Sequence, residues 1–430
     1  MRILMLTHSY PPVPGGIEQH VRNLSAALVR RGHEVSVATL WSDGLPEYEV
    51  DQGVRVYRLR GTIHRATKLL FVAPGGRVYA PPLPDPELVA ALRGLVRRFR
   101  PDVVHAHNWM VHSFLPLKTW SGARLIVTLH DYGLVCANWT LMRHGQPCSG
   151  PGLAKCLDCA VDTYGLKGAP TVAGAWIMGK VERALVDMFV PVSRAVAVGV
   201  GLVDGPWPYR VIPNFISDSP PAPPSDVRAY TEQLPDEPYL LFVGALARTK
   251  GVHVLLEAYA GLRGAPQASD LPPLVLIGYD ASGYKLEPAH LSPHVTVLRN
   301  WPHAAVMQAW ARSMVGLIPS VWPEPCPTVA MEAMLCGQPV IASRIGGLTD
   351  LVTDDETGVL VPPDDPAALC GAIADLVADG PRRERLGRGG RHKVSAFLVD
   401  AVVLRIEEIY AAPLTRPMKG RLSVSREGQS

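Results

Sequence analysis

Short apolar runs alternate with helix-length amphipathic segments along this chain, and the alternation occurs twice. Strands are expected at residues 2–7, 34–39, 54–59, 103–107, 125–129 and 188–192, with helices at 18–31, 86–100 and 175–186. Several of the strand runs are continuously apolar rather than alternating, as strands buried on both faces are. Such a pattern is satisfied by a parallel sheet covered by helices on both sides. Proline then recurs from Pro206 to Pro238, which breaks both helix and strand and reads as a linker. Beyond it the alternation resumes, with strands expected at 239–244, 274–278, 295–298, 315–319 and 339–343, and helices at 252–261, 304–311, 328–336, 366–378 and 396–410. The expected fold class is α/β, with two Rossmann-like domains facing across a cleft. The expected divisions are a first domain at 1–215, a linker at 216–238, a second domain at 239–395, a last helix at 396–412 and a polar, disordered tail at 413–430. A length of 430 residues is enough for two separate cores.

The segment most informative about chemistry is Glu324-Pro325-Cys326-Pro327-Thr328-Val329-Ala330-Met331-Glu332. Glu324 falls in a loop after an apolar strand, and Glu332 about one turn into the following helix. In an open parallel sheet, ligands bind at the carboxyl ends of strands. A helix start offers unpaired N–H groups to an anion. Carboxylates suit sugar hydroxyls and the helix start suits phosphate, so the segment suggests a nucleotide-sugar pocket. Two Glu at this spacing on a surface helix would ordinarily be solvated and silent. Pro325 and Pro327 supply no N–H, whereas Cys326, Thr328 and Val329 do.

Four other stretches occupy equivalent positions. Gly15-Gly16 follows the first strand and opens the first helix, where absent side chains let the backbone approach a ligand. The spacing is not that of the dinucleotide fingerprint. Glu18 beside it complements the helix dipole. Arg248-Thr249-Lys250 follows the first strand of the second half, and two cations on one loop can share one anion. Fixed cations stabilise a departing diphosphate more in the transition state than in the ground state. His130-Asp131 closes the strand at 125–129, and His105-Ala106-His107 closes the one before it. The two-residue spacing points both rings to one side of the strand. A satisfied buried imidazole is expected at His105, and His107 is a candidate for substrate contact. With no third ligand evident in the neighbouring sequence, metal binding there is not expected.

The block from Glu324 through Gly337-Gln338-Pro339-Val340-Ile341-Ala342-Ser343 and Gly346-Gly347 to Pro362 resembles the donor-binding half of the family 4 retaining glycosyltransferases of the GT-B fold. The resemblance covers nearly the whole chain except a cysteine-containing insertion at 136–165 and the tail. It implies transfer from a nucleotide-sugar donor to a glycan, lipid-linked or small-molecule acceptor with retention of anomeric configuration. The leaving phosphate would help take the acceptor proton, and no cofactor would be needed for catalysis. It assigns catalytic roles to His130, Glu324, Arg248 and Lys250. Donor contacts fall to Gly15, Gly16, His107, Gly244, Arg248, Lys250, Glu324, Thr328, Val329 and Glu332. It also implies that the last helix crosses back to the first domain. An epimerase or phosphorylase of similar fold, or a silent nucleotide-sugar-binding protein, are the alternatives. The intact set of Glu324, Glu332, Arg248 and Lys250 favours an active transferase.

The insertion carries Cys136, Cys148, Cys156 and Cys159 in a loop-like, Gly- and Pro-rich sequence. Four thiolates around Zn²⁺ would hold such a segment as a closed structural site. Reduced independent thiols and an iron–sulfur cluster are the competing readings. The net charge of +3 is too small to imply nucleic acid as a partner, and Arg93, Arg97, Arg98 and Arg100 read as a solvated helix face. No run is long enough for a membrane span or a signal peptide, so the expected location is cytoplasmic, with peripheral attachment at a membrane surface left open.

Overall fold

The computed structural model describes residues 1–413 apart from positions 14, 64, 67–79, 166–167, 219–226, 265–270, 282–283 and 287–290. The centre of the Pro-rich linker and the tail at 414–430 lie outside the described residues.

The first unit is built on strands β1 (Arg2–Leu6), β2 (Glu34–Leu40), β3 (Tyr48–Asp51), β4 (Val54–Leu59), β5 (Val103–Ala106) and β6 (Arg124–Leu129). The small hairpin β7 (Met142–Arg143) and β8 (Gln146–Pro147) stands apart, and β9 (Met188–Pro191) completes the sheet. The order is β3-β4-β2-β1-β5-β6-β9, with only β3 antiparallel to its neighbour. Ile3, Leu4, Met5 and Leu6 are all fully buried, which is the two-sided burial that a continuous apolar run predicts. The edge strand β3 was not expected. It is short and exposed or half-buried throughout, with two acidic residues among its four, and Asp51 is held there by Arg22 at 2.6 Å and the Tyr10 hydroxyl at 2.9 Å.

The second sheet comprises β10 (Tyr239–Leu246), β11 (Leu274–Asp280), β12 (Val295–Arg299), β13 (Ser313–Ile318), β14 (Val340–Ser343) and β15 (Gly358–Val361). It is wholly parallel, in the order β12-β11-β10-β13-β14-β15. The short β15 also lacked a sequence signal of its own, since four residues give too little periodicity.

Each sheet has a point where the strand order reverses direction, between β1 and β5 in one and between β10 and β13 in the other. Crevices open at the carboxyl ends of strands there. The loops after β1, β5, β10 and β13 carry Gly15-Gly16, His107, Arg248–Lys250 and Glu324 respectively. The two α/β units are Rossmann-like, the GT-B arrangement.

The helices that matter for the site are α1 (Gly16–Arg30), α2 (Pro86–Phe99), α3 (Leu153–Tyr164), α4 (Gly168–Leu185), α5 (Val252–Arg263), α6 (His303–Arg312), α7 (Thr328–Leu335), α8 (Pro366–Ala378), α9 (Gly380–Val394) and α10 (Val399–Ala411). Helix α2 begins where Asp85 accepts from the N–H groups of Glu87 and Leu88 and Pro86 takes the first turn. Helix α4 begins seven residues before its expected start at 175, because Pro170 is tolerated in a first turn. Two of these ten helices were missed outright. Helix α9 is so rich in Arg and Gly that its buried stripe reduces to Leu386, Gly387, Gly390 and Val394. Helix α3 lies inside the insertion, which is therefore not the irregular loop its composition suggested.

Residues 208–212 belong to the first unit, because Phe189 N–H donates to the Pro208 carbonyl and Ile212 N–H to that of Pro191. The final helix α10 packs on that unit as well. Val402, Val403, Ile406 and Ile409 join Ile3, Met5, Val21 and Leu24 in one core, and Glu407 bonds Arg31 and His33 at 2.8 Å each.

Candidate active site

Glu324 sits in the loop after β13, only 4% exposed. Its Oε1 accepts from Lys250 Nζ at 2.7 Å and from the Ser320 hydroxyl. A buried carboxylate needs such partners. Lys250 belongs to the loop after β10 and also lies over the Trp322 ring, with its nitrogen 5.6 Å from the centroid. The structure thus joins Glu324 and Lys250 into one ion pair across the switch point between β10 and β13. Arg248 stands exposed beside it and has no ion-pair partner among the described residues. Gly244 lies on the same strand, upstream of both cations.

The backbone around Glu324 is fixed by close packing. Gly346 has a left-handed conformation (φ +58°), and a Cβ there would lie 2.4 Å from the Glu324 carbonyl oxygen. Gly347 N–H donates to that oxygen at 2.6 Å. Helix α7 follows directly, with Pro327 before its first residue. The N–H groups of Thr328 and Val329 have no acceptor among the described residues. Glu332 lies one turn in, 8% exposed, and bonds His303 Nε2 at 3.1 Å from the start of α6. That contact holds the His303 imidazole above its usual pKa. No local sequence signal marks this partner.

On the facing unit, His130 is 7% exposed at the end of β6. Its Nδ1 lies 3.0 Å from Asn214 Oδ1 and its Nε2 3.0 Å from His107 Nδ1. Burial pushes the His130 imidazole down to about 4, so the ring is neutral near pH 7. His107 is more deeply buried, at 2%, and stands behind His130. Its Nδ1 meets His130, while its Nε2 has no hydrogen-bond partner among the described residues. His105 is a satisfied core histidine, with Tyr410 Oη and Thr128 Oγ1 each 2.7 Å away. A third imidazole that the local sequence could not announce, His20 of α1, packs edge-on against His130 with ring centroids 4.7 Å apart. The ligand nitrogens of His20, His107 and His130 lie within 4.8 Å of one another, but those of His107 and His130 face each other in a hydrogen bond.

Several bridges join the two units at this point. Asn214 Nδ2 donates to the Cys326 carbonyl at 3.2 Å, the Tyr132 hydroxyl to that of Pro323 at 2.8 Å, and Arg194 N–H to Asp350 at 2.6 Å. His130 therefore reaches the Glu324 loop through Asn214.

A pocket in the first unit is lined by His8, Gly16, Glu18, Asn108, Asp131 and Trp139, among others. Gly16 leaves open space, whereas a Cβ on Gly15 would lie 1.9 Å from the Glu18 carboxylate, which folds back over the start of α1. An anion at that helix start would displace Glu18. Burial pushes the Asp131 carboxyl up to about 6, although the Gly133 N–H donates to it at 2.7 Å. The sequence reading passed over Asp131, Tyr132, Ser320, Trp322 and His303. The neighbour of a marked residue is the one signal that could have found the first two.

Cys136, Cys148, Cys156 and Cys159 border one cavity, but among the described residues no three of their sulfurs come within 4.8 Å of one another. The expected convergence to ligand distance is not met in this structure.

A family model described as "Glycosyltransferase Family 4" matches residues 14–219, and one described as "Glycosyl transferases group 1" matches residues 227–393. Glycogen synthase of Mycobacterium tuberculosis is 27% identical over 96% of this chain and 95% of its own length. The structure of sucrose-phosphate synthase from Thermosynechococcus elongatus superposes with a TM-score of 0.70 at 25% identity, covering 95% of this chain and 98% of that one. Anabaena HepE in complex with UDP and glucose shares the fold, with a TM-score of 0.66 at 18% identity over 95% and 99% of the two chains. The two family models fall one on each α/β unit, and the chain is a family 4-like glycosyltransferase of the GT-B fold.

Proposed function

We propose that the protein is a retaining glycosyltransferase that moves a sugar from a nucleotide-sugar donor to a glycan, lipid-linked or small-molecule acceptor, without a metal in the catalytic step. The observation that supports this best is the cluster after β10 and β13: Lys250 paired to buried Glu324, Arg248 exposed beside them, and the open N–H groups of Thr328 and Val329. Two cations and a helix start are a complement for a diphosphate. HepE, a relative in fold, is described with UDP and glucose.

In this reading Arg248 and Lys250 hold the diphosphate and stabilise the charge it gains as the glycosidic bond breaks. Glu332 accepts from the ribose hydroxyls through the carboxylate oxygen that His303 leaves available. Glu324 accepts from sugar hydroxyls, and Gly15, Gly16 and Gly244 permit close backbone approach. His130 is neutral and contacts the sugar near the reacting carbon by exchanging its bond to Asn214, while His107 positions it. The acceptor hydroxyl attacks on the face from which the phosphate leaves, and that phosphate takes the proton. Asp131 and Tyr132 lie on the acceptor side.

The test is nucleotide release from a panel of nucleotide sugars with and without candidate acceptors, followed by NMR of the product's anomeric proton. Acceptor-dependent release with the donor's configuration kept is expected. Release of a modified nucleotide sugar without acceptor would assign an epimerase instead.

A further inference from the structure

Helix α3 has a problem of attachment. Of its twelve residues only Ala160 is fully buried, so apolar packing does little to hold it on the first unit. The β7–β8 hairpin before it is a two-residue ladder, which is marginal alone. What the segment has in common is sulfur. Cys136 comes from the turn after Tyr132, Cys148 from the end of the hairpin, and Cys156 and Cys159 from successive turns of α3. An i, i+3 pair on a helix shares one face.

N–H groups are directed at three of the four sulfurs. Asn138 Nδ2 donates to Cys159 Sγ at 3.2 Å, and Gly152 N–H donates to Cys156 Sγ at 3.3 Å. The backbone N–H groups of Asn138 and Leu141 are directed at Cys136. Three of the four sulfurs thus carry N–H donors, the outer hydrogen bonds that orient metal-bound ligands. Arg143 and Lys155 border the same cavity and would offset the two negative charges of a tetrathiolate site.

We propose that Cys136, Cys148, Cys156 and Cys159 bind one zinc ion as a closed structural site that fixes the acceptor-side rim of the cleft. Binding is Zn²⁺ displacing four thiol protons to give four Zn–S bonds, with no change of oxidation state. Sulfurs on one zinc lie about 3.8 Å apart, from a Zn–S length of about 2.3 Å. Since no three lie within 4.8 Å here, metal binding draws the turn, the hairpin and α3 together around the cavity. The consequence for the cleft follows from position. Pro147, Cys148 and Pro151 line a groove whose other wall includes Pro323, Gly346 and Asp350 of the second unit, next to the Glu324 loop. The role at the rim, though not the metal site itself, rests on the glycosyltransferase reading.

The test is metal analysis of the full chain purified under reducing conditions. About one zinc per chain is expected, together with Co²⁺ substitution giving thiolate charge-transfer bands and tetrahedral visible absorption. The C156S/C159S double variant should retain roughly tenfold less zinc or worse. Should that variant not fold, strong chelation of the native chain should lower its melting temperature, with recovery on adding zinc. A chain that holds no zinc and takes up no Co²⁺ overturns the proposal, as does an iron–sulfur chromophore or a disulfide among the four cysteines. Nucleotide affinity measured on the zinc-loaded and chelated chain keeps the two readings apart. Lost affinity in both forms strikes the nucleotide-sugar reading and leaves the metal result standing.

Discussion

At the residue scale the buried carboxylates of the site, Glu324 and Glu332, already have partners in Lys250 and His303. Lys250→Ala strips the buried Glu324 carboxylate of its charge-assisted hydrogen bond, an effect on the order of 1.5–3 kcal/mol. Turnover should fall by far more than stability, because the same ammonium is proposed to meet the leaving phosphate. Normal kcat in that variant would remove Lys250 from the mechanism. Glu332→Ala should weaken nucleotide affinity by about 10- to 150-fold, corresponding to the same 1.5–3 kcal/mol, in a folded chain. Calorimetric titration with the free nucleotide checks this, and His303→Ala separates loss of the carboxylate from loss of its partner. Asp131 gives a pH signature. Its folded pKa of about 6 lies above the ordinary value of 3.8 for an aspartate, so its ionisation opposes folding. Stability should decline as pH rises from about 3.8 to about 6 and then level off as far as this group is concerned. Urea midpoints of Asp131→Asn against the native chain should differ in pH dependence across that window; parallel profiles would refute the shift.

At the scale of elements, the informative feature is the packing of the Glu324 loop against the turn after β14. Gly346 tolerates no side chain there, both because of its φ of +58° and because a Cβ would meet the Glu324 backbone. Gly346→Ala should shift that loop and reduce kcat with little change in nucleotide affinity, which depends on α7. Equal losses of both would mean that the substitution disturbs α7 as well. Most elements were legible in the sequence because burial on both faces writes itself as continuous apolar runs, as in β1 and β10. The exceptions have physical causes. Strand β3 is an exposed edge held by side-chain bonds, β15 is four residues long, and α9 presents glycines where apolar residues would have marked a helix face. In the insertion, Gly and Pro at 145, 147, 150, 151 and 152 concealed a helix that begins at the following residue.

For the whole molecule, the question is how two α/β units act on one sugar. The His130–Asn214–Cys326 chain and the Tyr132–Pro323 bond tie the first unit to the Glu324 loop of the second. The last helix, α10, adds a second tie by packing its apolar stripe on the first sheet, with Tyr410 reaching His105. His130→Ala should impair transfer strongly while sparing nucleotide binding, since the proposed nucleotide contacts all belong to the second unit. Asn214→Ala should do the same to a lesser degree. A parallel fall in nucleotide affinity would show that His130 holds the fold or the nucleotide rather than the reacting sugar.

What the sequence determined by itself is periodic or local. Two rounds of strand–helix alternation dictate two parallel sheets, and charged residues at the carboxyl ends of strands mark the side on which a ligand would bind. Only the tertiary structure decided which distant groups share a site. Lys250 and Glu324 are 74 residues apart, His303 and Glu332 are 29, and His130 and Asn214 are 84. Such pairs leave no periodic trace in a single sequence, because the contact is set by which strands neighbour each other in a sheet. The same reason limits what the spacing of His105 and His107 can say. A two-residue spacing fixes the side of a strand on which a ring lies, but only the packing of α1 and the loop at Asn214 decides whether solvent or another imidazole meets it there.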